Sequence, residues 1–430
     1  MYHFIGIKGS GMSALAIIMK KLEYDVQGSD YTKKYFTEKD LRKNNIKMLP
    51  FKKDNIKDNM IIVKGNSFDI ENEEVQEAIK RNLKIIDYQD MVSIITNNYN
   101  LISVSGCHGK TTTSSLLSHV IESNYLIGDG SGNITKSNDF VLESCEYKKH
   151  FLKYNPKYII ITNIDLDHVD YYKDIGEVLE AHQEFVNKAE ILIINGDDSN
   201  TSKIKHKNII TYGLNKNNIV TAQNIKYLKT GTKFDLYINN KYIDTFKIKL
   251  YGSHMVQNTL SVLAYCYLKN IDMNKVKERL KTFKGAKRRF KTTKIQDNII
   301  IDDYAHHPNE IKAVIESTRQ KYPNKKIIAY FEPHTYSRTK KFAKSIAKEL
   351  NKCDYAYVTD IYHSREKQED YLNITSNIIL NELNNGEYIR KGDISPLLKY
   401  KNSVILFMSP NDLISIENEY KKSKIEKNEN

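Results

Sequence analysis

Residues 99–121, YNLISVSGCHGKTTTSSLLSHVI, decide how the rest of the chain is interpreted. The apolar run at 101–104 is typical of a buried strand, and apolar residues from Leu116 to Ile121 recur at helical spacing. A glycine-rich turn between a strand and a helix directs successive backbone N–H groups at phosphate oxygens. The sequence therefore predicts a nucleotide-phosphate site that consists of Gly106, Cys107, His108, Gly109, Lys110, Thr111 and Thr112.

Two residues of this turn carry the predicted chemistry. Lys110 is expected to reach the β- and γ-phosphates, and the Thr111 hydroxyl is expected to hold Mg²⁺. Val104 stands where the usual G-x-x-x-x-G-K-[ST] pattern has its first glycine. The alternative interpretation is a glycine turn with a surface lysine. The order of strand, loop and helix favours the phosphate site.

Length and composition limit the class of protein. A chain of 430 residues is too long for one core, so two to four domains are expected. No apolar run approaches the roughly 18 residues of a transmembrane helix, and the N-terminus does not resemble a signal peptide. We therefore expect a cytoplasmic protein without membrane insertion. The four cysteines show no paired spacing, which indicates reduced thiols.

The net charge of +13 allows a nucleic-acid partner but does not favour one. Lysine is spread along the whole chain, whereas a nucleic-acid surface more often shows a basic stripe interleaved with aromatic residues. The sequence predicts a solvated lysine surface and no nucleic-acid partner.

A second glycine-rich turn, Gly6–Met12, follows a predicted strand at 2–5 and precedes a predicted helix. Its spacing does not match G-x-G-x-x-G, so a nicotinamide site is not supported. Asp30 ends the next predicted strand, where it either meets a ribose or base edge or caps the following helix. Further strands alternate with a helix near 73–81, which predicts a parallel sheet.

Acidic and imidazole groups follow two predicted strands, at 141–146 and 158–162. Glu143 and Glu146 end the first, and His168 follows the second. Side chains at strand C-termini of an open α/β sheet project into the ligand crevice, and beside phosphates they suit Mg²⁺. Loop capping is the alternative role for each.

The pattern changes after residue 220. Alternation and turn residues between 220 and 250 predict a small antiparallel sheet, after which helices and α/β units return. Arg288 and Arg289 lie in a basic linker, either as ordinary linker charge or as a clamp for an anionic substrate. The segments DDYAHHP at 302–308 and EPHTYSR at 332–338 suit either a transition metal or hydrogen bonds to a carboxylate or amine.

Nine separated motifs then lead to a resemblance: GIKGSGMSALA, QGSD, SGCHGKTTT, ESCEYKKHFL, TNIDLDHVDYY, KRRF, DDYAHHPNE, EPHTYSRT and DIYHSRE. From Tyr2 to about Tyr420 the chain resembles the Mur ligases of peptidoglycan synthesis. The resemblance implies an α/β protein with Rossmann-like N- and C-terminal domains around a P-loop-type ATP-binding domain that carries the antiparallel sheet. The expected ranges are 1–99 for the UDP-substrate domain, 100–287 for the ATP domain, 288–420 for the amino-acid domain and 421–430 for a disordered tail.

The same resemblance implies an ATP-dependent amide ligase. We expect it to join L-alanine to the carboxylate of UDP-N-acetylmuramate through an acyl phosphate, with ATP and two Mg²⁺ ions, as a monomer or homodimer. Relatives that add later residues carry a carbamylated lysine after the D-H motif, and residues 177–186 contain no lysine. A related ligase for another amino acid or a recycled murein peptide is the neighbouring alternative. A nucleic-acid-responsive ATPase and a catalytically silent binding protein are the alternatives from other classes.

Site roles follow from the matching motifs. Lys110 is the phosphate residue, Thr111, Glu146 and His168 are the metal residues, and Asn258 lies on the adenine side. His306 or His307 is a candidate acceptor of the ammonium proton. The expected substrate residues are Gly9, Ser10, Gly11, Met12, Asp30, Arg288, Arg289, His306, His334 and Arg338.

Overall fold

The structure, a computed structural model, describes residues 1–364, 366–411 and 413–426. The chain divides into two compact units. The first unit comprises residues 1–165, 176–221 and 258–280, and the second comprises residues 166–175, 222–257 and 281–430. None of the helices in the described ranges is long and apolar enough to cross a membrane. The predicted domain boundaries after residues 99 and 287 stay predictions.

The N-terminal part of the first unit is a parallel five-stranded sheet with the order β3-β2-β1-β4-β5. The strand order reverses on either side of β1, as in a doubly wound fold, so a crevice forms at the C-terminal end of β1. The elements are β1 (Tyr2–Ile5), α1 (Ser10–Lys21), β2 (Val26–Asp30), α2 (Glu38–Lys43), β3 (Lys47–Pro50), β4 (Ile61–Lys64), α3 (Glu73–Lys80), β5 (Lys84–Asp87) and α4 (Tyr88–Thr96).

A second sheet of the first unit carries the predicted phosphate turn, residues 106–112, between β6 and α5. Its central strands are parallel, and β6 lies between β10 and β9. The elements are β6 (Asn100–Ser105), α5 (Lys110–Ile121), β7 (Asn124–Leu126), β8 (Gly132–Asn133), β9 (Asp139–Glu143), β10 (Tyr158–Ile161), α6 (Ile175–Val186), β11 (Ile191–Asn195) and β12 (Ile209–Gly213). All four residues of β10 are buried, as expected for a strand that is covered on both faces.

Three elements are shared between the units or lie near their boundaries. β13 (Val220–Leu228) begins in the first unit, where it pairs with β12, and continues into the second. α7 (Ser253–Leu268) begins in the second unit and ends in the first, where most of α8 (Met273–Thr282) also lies. In the second unit β14 (Gly231–Ile238) pairs antiparallel with β15 (Lys241–Ile248), which confirms the predicted antiparallel segment.

The C-terminal sheet of the second unit has, over its described residues, the strand order β16-β17-β21-β18-β19-β20. In the described part of this sheet β16 pairs antiparallel with β17, and the other neighbouring strands pair parallel. The elements are β16 (Lys291–Ile295), β17 (Asn298–Asp303), α9 (Pro308–Lys321), β18 (Lys326–Phe331), α10 (Tyr336–Leu350), β19 (Tyr355–Val358), α11 (Asn377–Leu380), β20 (Gly386–Tyr388), β21 (Ser403–Met408) and α12 (Ile414–Glu426). The predicted α/β class is confirmed.

The predicted disordered tail at 421–430 is wrong over its first six residues, which belong to α12. The charged composition is misleading here because Lys424 is buried and donates to the backbone carbonyls of Tyr400, at 2.6 Å, and Leu398, at 3.2 Å. Tyr420, one turn earlier, is fully buried. Residues 427–430 of the predicted tail, and Arg365 in the last of the nine motifs, lie outside the described residues.

Candidate functional site

The backbone of the phosphate turn requires glycine at two positions. Gly106 has a φ of +116°, and a Cβ atom there would lie 2.4 Å from Oγ1 of Thr162. Gly109 has a φ of +85°, and its Cβ atom would lie 2.8 Å from Oδ1 of Asn258. Both a left-handed conformation and a close neighbour therefore exclude larger residues. Asn258, predicted for the adenine side, lies directly against the turn.

The turn is held by the end of β10. Thr162 Oγ1 and Asn163 Nδ2 donate to the His108 carbonyl at 2.6 and 2.8 Å, and the His108 amide donates to Asn163 Oδ1 at 2.9 Å. The Cys107 thiol donates to the Asp165 carbonyl at 2.9 Å. These bonds, all within the chain, hold the conformation of the turn. Cys107 acts here as a small loop residue.

Lys110, at the first turn of α5, points back over the loop. Its ammonium lies 3.0 Å from Oε2 of Glu146 and donates to the carbonyls of Gly106 and Cys107. Burial works against the charge of Lys110, yet the Glu146 carboxylate raises its pKa above the ordinary value. Glu146 is almost completely buried, so its charge depends on this partner. The structure thus brings two predicted site residues into contact.

A second carboxylate, that of Glu143, contacts Thr111, another predicted magnesium residue. Thr111 Oγ1 donates to Glu143 Oε1 at 2.8 Å, and the Gly128 amide donates to Glu143 Oε2 at 2.7 Å. Burial raises the pKa of Glu143. Thr111, Glu143 and Glu146 offer hard oxygen donors, and hard oxygen donors are what Mg²⁺ prefers. The residues present therefore fit a magnesium ion, and Glu143, one of the two strand-end carboxylates noted in the sequence, lies against Thr111.

The N-terminal turn is built equally tightly. Gly9 is the N-cap of α1, which begins at Ser10, and a Cβ atom on Gly11 would lie 2.6 Å from the Tyr88 hydroxyl. Met12, the remaining predicted residue of this turn, is buried in the first turn of α1. Because the side chains of this turn are closely packed, its backbone N–H groups are what it offers to a ligand at the C-terminal edge of the sheet.

Asp30 lies at the end of β2, beside the same turn. Its carboxylate accepts from the amides of Lys8, at 2.7 Å, and Tyr31, at 2.8 Å. Burial raises its pKa. The next helix, α2, begins at Glu38 with Thr37 as its N-cap. The helix-cap interpretation of Asp30 is therefore wrong, because the carboxylate joins β2 to the glycine turn instead.

The Lys8 side chain, in the N-terminal glycine turn, contacts the segment between β2 and α2. Its ammonium donates to the carbonyls of Tyr31, at 2.7 Å, and Lys33, at 2.9 Å, and lies 2.9 Å from Oε1 of Glu38. Lys8 is buried. Its charge thus serves the segment between β2 and α2.

In the second unit, Arg338 forms a buried ion pair with Asp167. Nη2 and Nε of Arg338 lie 2.6 and 3.1 Å from Asp167 Oδ1, and Nη1 lies 2.7 Å from Nδ1 of His334. Although burial opposes the charge, the Arg338 guanidinium holds the pKa of Asp167 well below its usual range. The structure brings the predicted residues Arg338 and His334 together. It also shows that Asp167, which follows β10 in sequence, orients them.

His168 belongs to the same group of residues. Its backbone has a φ of +51°, unusual for a non-glycine residue, and its amide donates to Asp167 Oδ1 at 2.7 Å. Asp167 therefore fixes both the guanidinium of Arg338 and the backbone that carries the His168 imidazole. Such strain persists only where the surrounding bonds determine it.

The two linker arginines take different positions. Arg288 is buried and donates to the carbonyl of Ser409 at 2.8 Å, with Asp302 at 3.4 Å. Arg289 stacks on the ring of Tyr304 at 4.9 Å and lies 3.4 Å from Oε1 of Glu310. The Arg289 side chain is 21% exposed and that of Arg288 is 10% exposed. Neither is ordinary linker charge, and Arg289 is the better placed of the two to meet a ligand.

The two adjacent histidines have separate environments. Nδ1 of His306 lies 3.0 Å from the Tyr304 carbonyl, and burial lowers the pKa of His306 to about 4. His307 is the N-cap of α9: its Nδ1 accepts from the Asn309 amide at 3.4 Å in a capping box with Glu310. A proton on Nδ1 of His307 would break that cap. The Nδ1 atom of His306 also lies 3.2 Å from Oε2 of Glu310, but of the two predicted proton acceptors His306 is the one whose ring does not cap α9.

The predicted site residues thus fall into two sets. The first unit holds the N-terminal turn, Asp30, the phosphate turn through Thr112, Glu146 and Asn258, and the second unit holds His168, Arg288, Arg289, His306, His307, His334 and Arg338. Within each unit the structure brings neighbours into contact. Glu143 and Asp167 were among the strand-end groups that the sequence directed at the ligand crevice, but the roles taken from the family motifs did not include them.

Comparisons with known proteins agree along the whole chain. Successive matches are found to the Mur ligase family catalytic domain at residues 1–100, the Mur ligase middle domain at 104–266 and the Mur ligase glutamate ligase domain at 288–415. Among solved structures, UDP-N-acetylmuramate-alanine ligase MurC from Thermotoga maritima is similar with a TM-score of 0.84 and 25% identity over 99% of both chains.

Two further structures share the fold at lower identity. A murein peptide ligase from Psychrobacter arcticus has a TM-score of 0.73 and 19% identity over 98% of both chains. MurF ligase from Thermotoga maritima, solved in complex with ADP, has a TM-score of 0.65 and 17% identity over 88% of this chain and 97% of that chain. Three domain models of one family match in order, and the middle one contains the strand, glycine turn and helix at residues 100–121. The chain is therefore an ATP-dependent amino acid ligase that belongs to the Mur ligase family.

Proposed function

We propose that the chain joins L-alanine to the carboxylate of UDP-N-acetylmuramate, with cleavage of ATP to ADP and phosphate, in cytoplasmic synthesis of peptidoglycan precursors. The observation that carries this proposal is the likeness to the alanine ligase from Thermotoga maritima, with a TM-score of 0.84 over 99% of both chains. The peptide ligase that matches over a similar length has a TM-score of 0.73.

The chemistry of the reaction explains the residues of the phosphate turn. A carboxylate is a poor electrophile, so it is first phosphorylated by ATP, and the amine of alanine then displaces phosphate from the acyl phosphate. The substrate carboxylate and the triphosphate repel each other. In the proposal Lys110 exchanges its contact with Glu146 for the phosphates of ATP, where its charge stabilises the transferring group. The backbone amides of the turn hold the remaining phosphate oxygens.

The Glu146 carboxylate, which this exchange releases from Lys110, suits a cation. Thr111, Glu143 and Glu146 would hold Mg²⁺, and His168 would serve a second ion. When bound, Mg²⁺ would supply charge neutralisation and polarisation of the phosphoryl oxygens. The family resemblance assigns Asn258 to the adenine side of ATP, and its side chain lies against the turn at Gly109.

The remaining residues would bind the two acceptor substrates. The turn from Gly9 to Met12 and Asp30 would hold the UDP moiety at the crevice of the N-terminal sheet. Arg289, His334 and Arg338 would face the anionic groups of the sugar nucleotide and of alanine. Of the two adjacent histidines, His306 would be the one to accept the ammonium proton, because its neutral imidazole does not cap a helix.

A murein peptide ligase is the second candidate, favoured by the fold shared with the Psychrobacter arcticus protein. The test measures phosphate release and amide product by mass with ATP, UDP-N-acetylmuramate and either L-alanine or a murein tripeptide. The proposal predicts product only with L-alanine and phosphate release only with all three substrates. Product with the tripeptide alone would establish the second candidate, and ATP turnover that is indifferent to the sugar nucleotide would contradict both.

A further inference from the structure

A buried histidine on α6 has no role in the activity described so far. His182 lies on the apolar face of the helix with Val178 and Phe185, and it is completely buried. Its ring packs edge-on against Phe151, with 5.3 Å between centroids. A phenylalanine or leucine would fill such a position without any polar atom. The imidazole nitrogens therefore need an explanation of their own.

The hydrogen bonds of His182 determine its tautomer. Nδ1 lies 2.9 Å from the carbonyl oxygen of Val178, four residues earlier on the helix. A carbonyl oxygen only accepts, so Nδ1 carries the proton and Nε2 presents a lone pair. Among the described residues none donates a hydrogen bond to Nε2, which is itself buried. A buried acceptor without a partner costs about 1–3 kcal/mol, so His182 is costly as a purely structural residue.

The surroundings of His182 include the segment that follows Glu146. Burial lowers its pKa, and the charges that perturb it further are those of Glu146 and Lys110. Phe151, which contacts the ring, belongs to the short helical segment that starts directly after Glu146. The ring with the unpartnered acceptor therefore packs against the segment that follows Glu146, and burial keeps the imidazole neutral.

We propose that His182 is a positioning residue for the divalent cation at Glu146, with Nε2 accepting a hydrogen bond from a water molecule on that ion. The proposal rests on the part of the proposed function that places a cation at Glu146. Mg²⁺ dehydrates reluctantly and usually keeps several waters, and those waters need acceptors in a buried site. A neutral imidazole with its other nitrogen fixed by a carbonyl is such an acceptor, and outer contacts of this kind tune metal affinity.

The experiment measures cation binding directly. Mn²⁺, which is detectable by electron paramagnetic resonance, is titrated into the full chain with a non-hydrolysable ATP analogue, and Mg²⁺ is measured by competition. His182→Phe and His182→Leu keep the apolar packing and remove the acceptor, whereas His182→Gln keeps an acceptor oxygen. His206→Phe, on a loop of the same unit, is the matched control.

We expect His182→Phe and His182→Leu to weaken binding of both ions about tenfold or more, the lower end of the effect of outer-shell substitutions. His182→Gln should recover part of that loss, which a packing role alone would not produce, and the control should bind as the wild type does. Unchanged affinity in either folded apolar variant overturns the inference, whatever the ligase assay shows. Conversely, lost cation affinity in the His182 variants, together with no alanine ligation by the wild-type chain, would leave the inference standing and contradict the proposed function.

Discussion

The ammonium of Lys110 lies 3.0 Å from the carboxylate of Glu146, so the residue proposed for the phosphates pairs with the residue proposed for the cation. The two are 36 positions apart in sequence, and the parallel pairing of β6 with β9 brings them together. ATP and Mg²⁺ would each compete with one partner of this pair. Two of the four predictions below concern this site, and the other two concern Arg338 and His306.

Lys110→Ala should lower the rate of ATP-dependent ligation by at least about 100- to 1,000-fold, because a charge aimed at the transferring phosphoryl group is lost. The measurement is kcat at saturating substrates. Lys149→Ala removes a lysine that pairs with Glu184 at the surface and is the matched control, with a rate close to that of the wild type. A Lys110→Ala variant with near-normal turnover would show that the site is misplaced.

Glu146→Gln and Glu143→Gln should each raise the Mg²⁺ concentration needed for half-maximal rate by about tenfold, because each removes one anionic oxygen donor. Rates are measured against free Mg²⁺ at fixed ATP. Glu184→Gln, at the surface, should leave the dependence unchanged. An unaltered Mg²⁺ dependence in both variants would exclude the two carboxylates as cation ligands.

Arg338→Met should destabilise the chain by about 3–5 kcal/mol, because it leaves the buried carboxylate of Asp167 without its partner. The double variant Asp167→Asn/Arg338→Met should recover part of this loss, since it buries no unpaired charge. Urea unfolding provides the measurement. Arg319→Met, whose partner Asp354 is at the surface, should cost no more than about 1 kcal/mol. Equal costs at both sites would contradict the buried-pair interpretation.

His306 should make the chain sensitive to acid. Its pKa is about 4 in the fold, because of burial, and about 6.5 in an unfolded chain. Its contribution to stability is therefore complete above pH 6.5 and is lost as the pH falls toward 4. Between pH 7.5 and pH 5 the wild type should lose about 2 kcal/mol more than His306→Gln, at about 1.4 kcal/mol per pKa unit. Urea unfolding at both values tests this, with His363→Gln at the exposed His363 as control. An equal loss in wild type and His306→Gln would contradict it.

The central strands could be predicted from the sequence because their own composition determines them. The predicted strands at 2–5 and 158–162 correspond to Tyr2–Ile5 and Tyr158–Ile161, and all four residues of the second are buried. Edge strands were missed. Lys291–Ile295 is polar and largely solvated, and only its pairing with the neighbouring strand makes it extended.

The site was predictable as a set of residue types and not as a set of contacts. The phosphate turn could be recognised because its chemistry is local in sequence. The pairing of Thr111 with Glu143 depends on which strands are neighbours, which no local pattern contains. The buried His182 was overlooked although it interrupts the apolar face of α6, since a single histidine in such a pattern is usually a packed core residue.

The contacts of Lys8 have a consequence for ligand binding at the N-terminal sheet. Its ammonium ties two carbonyls and one carboxylate of the 31–38 segment to the glycine turn, and the Thr37 hydroxyl donates to the Lys8 carbonyl at 2.6 Å. The loop entropy that a flexible segment would lose on meeting a nucleotide is lost here during folding. The contacts of Lys8 therefore preorganise this segment beside the N-terminal crevice.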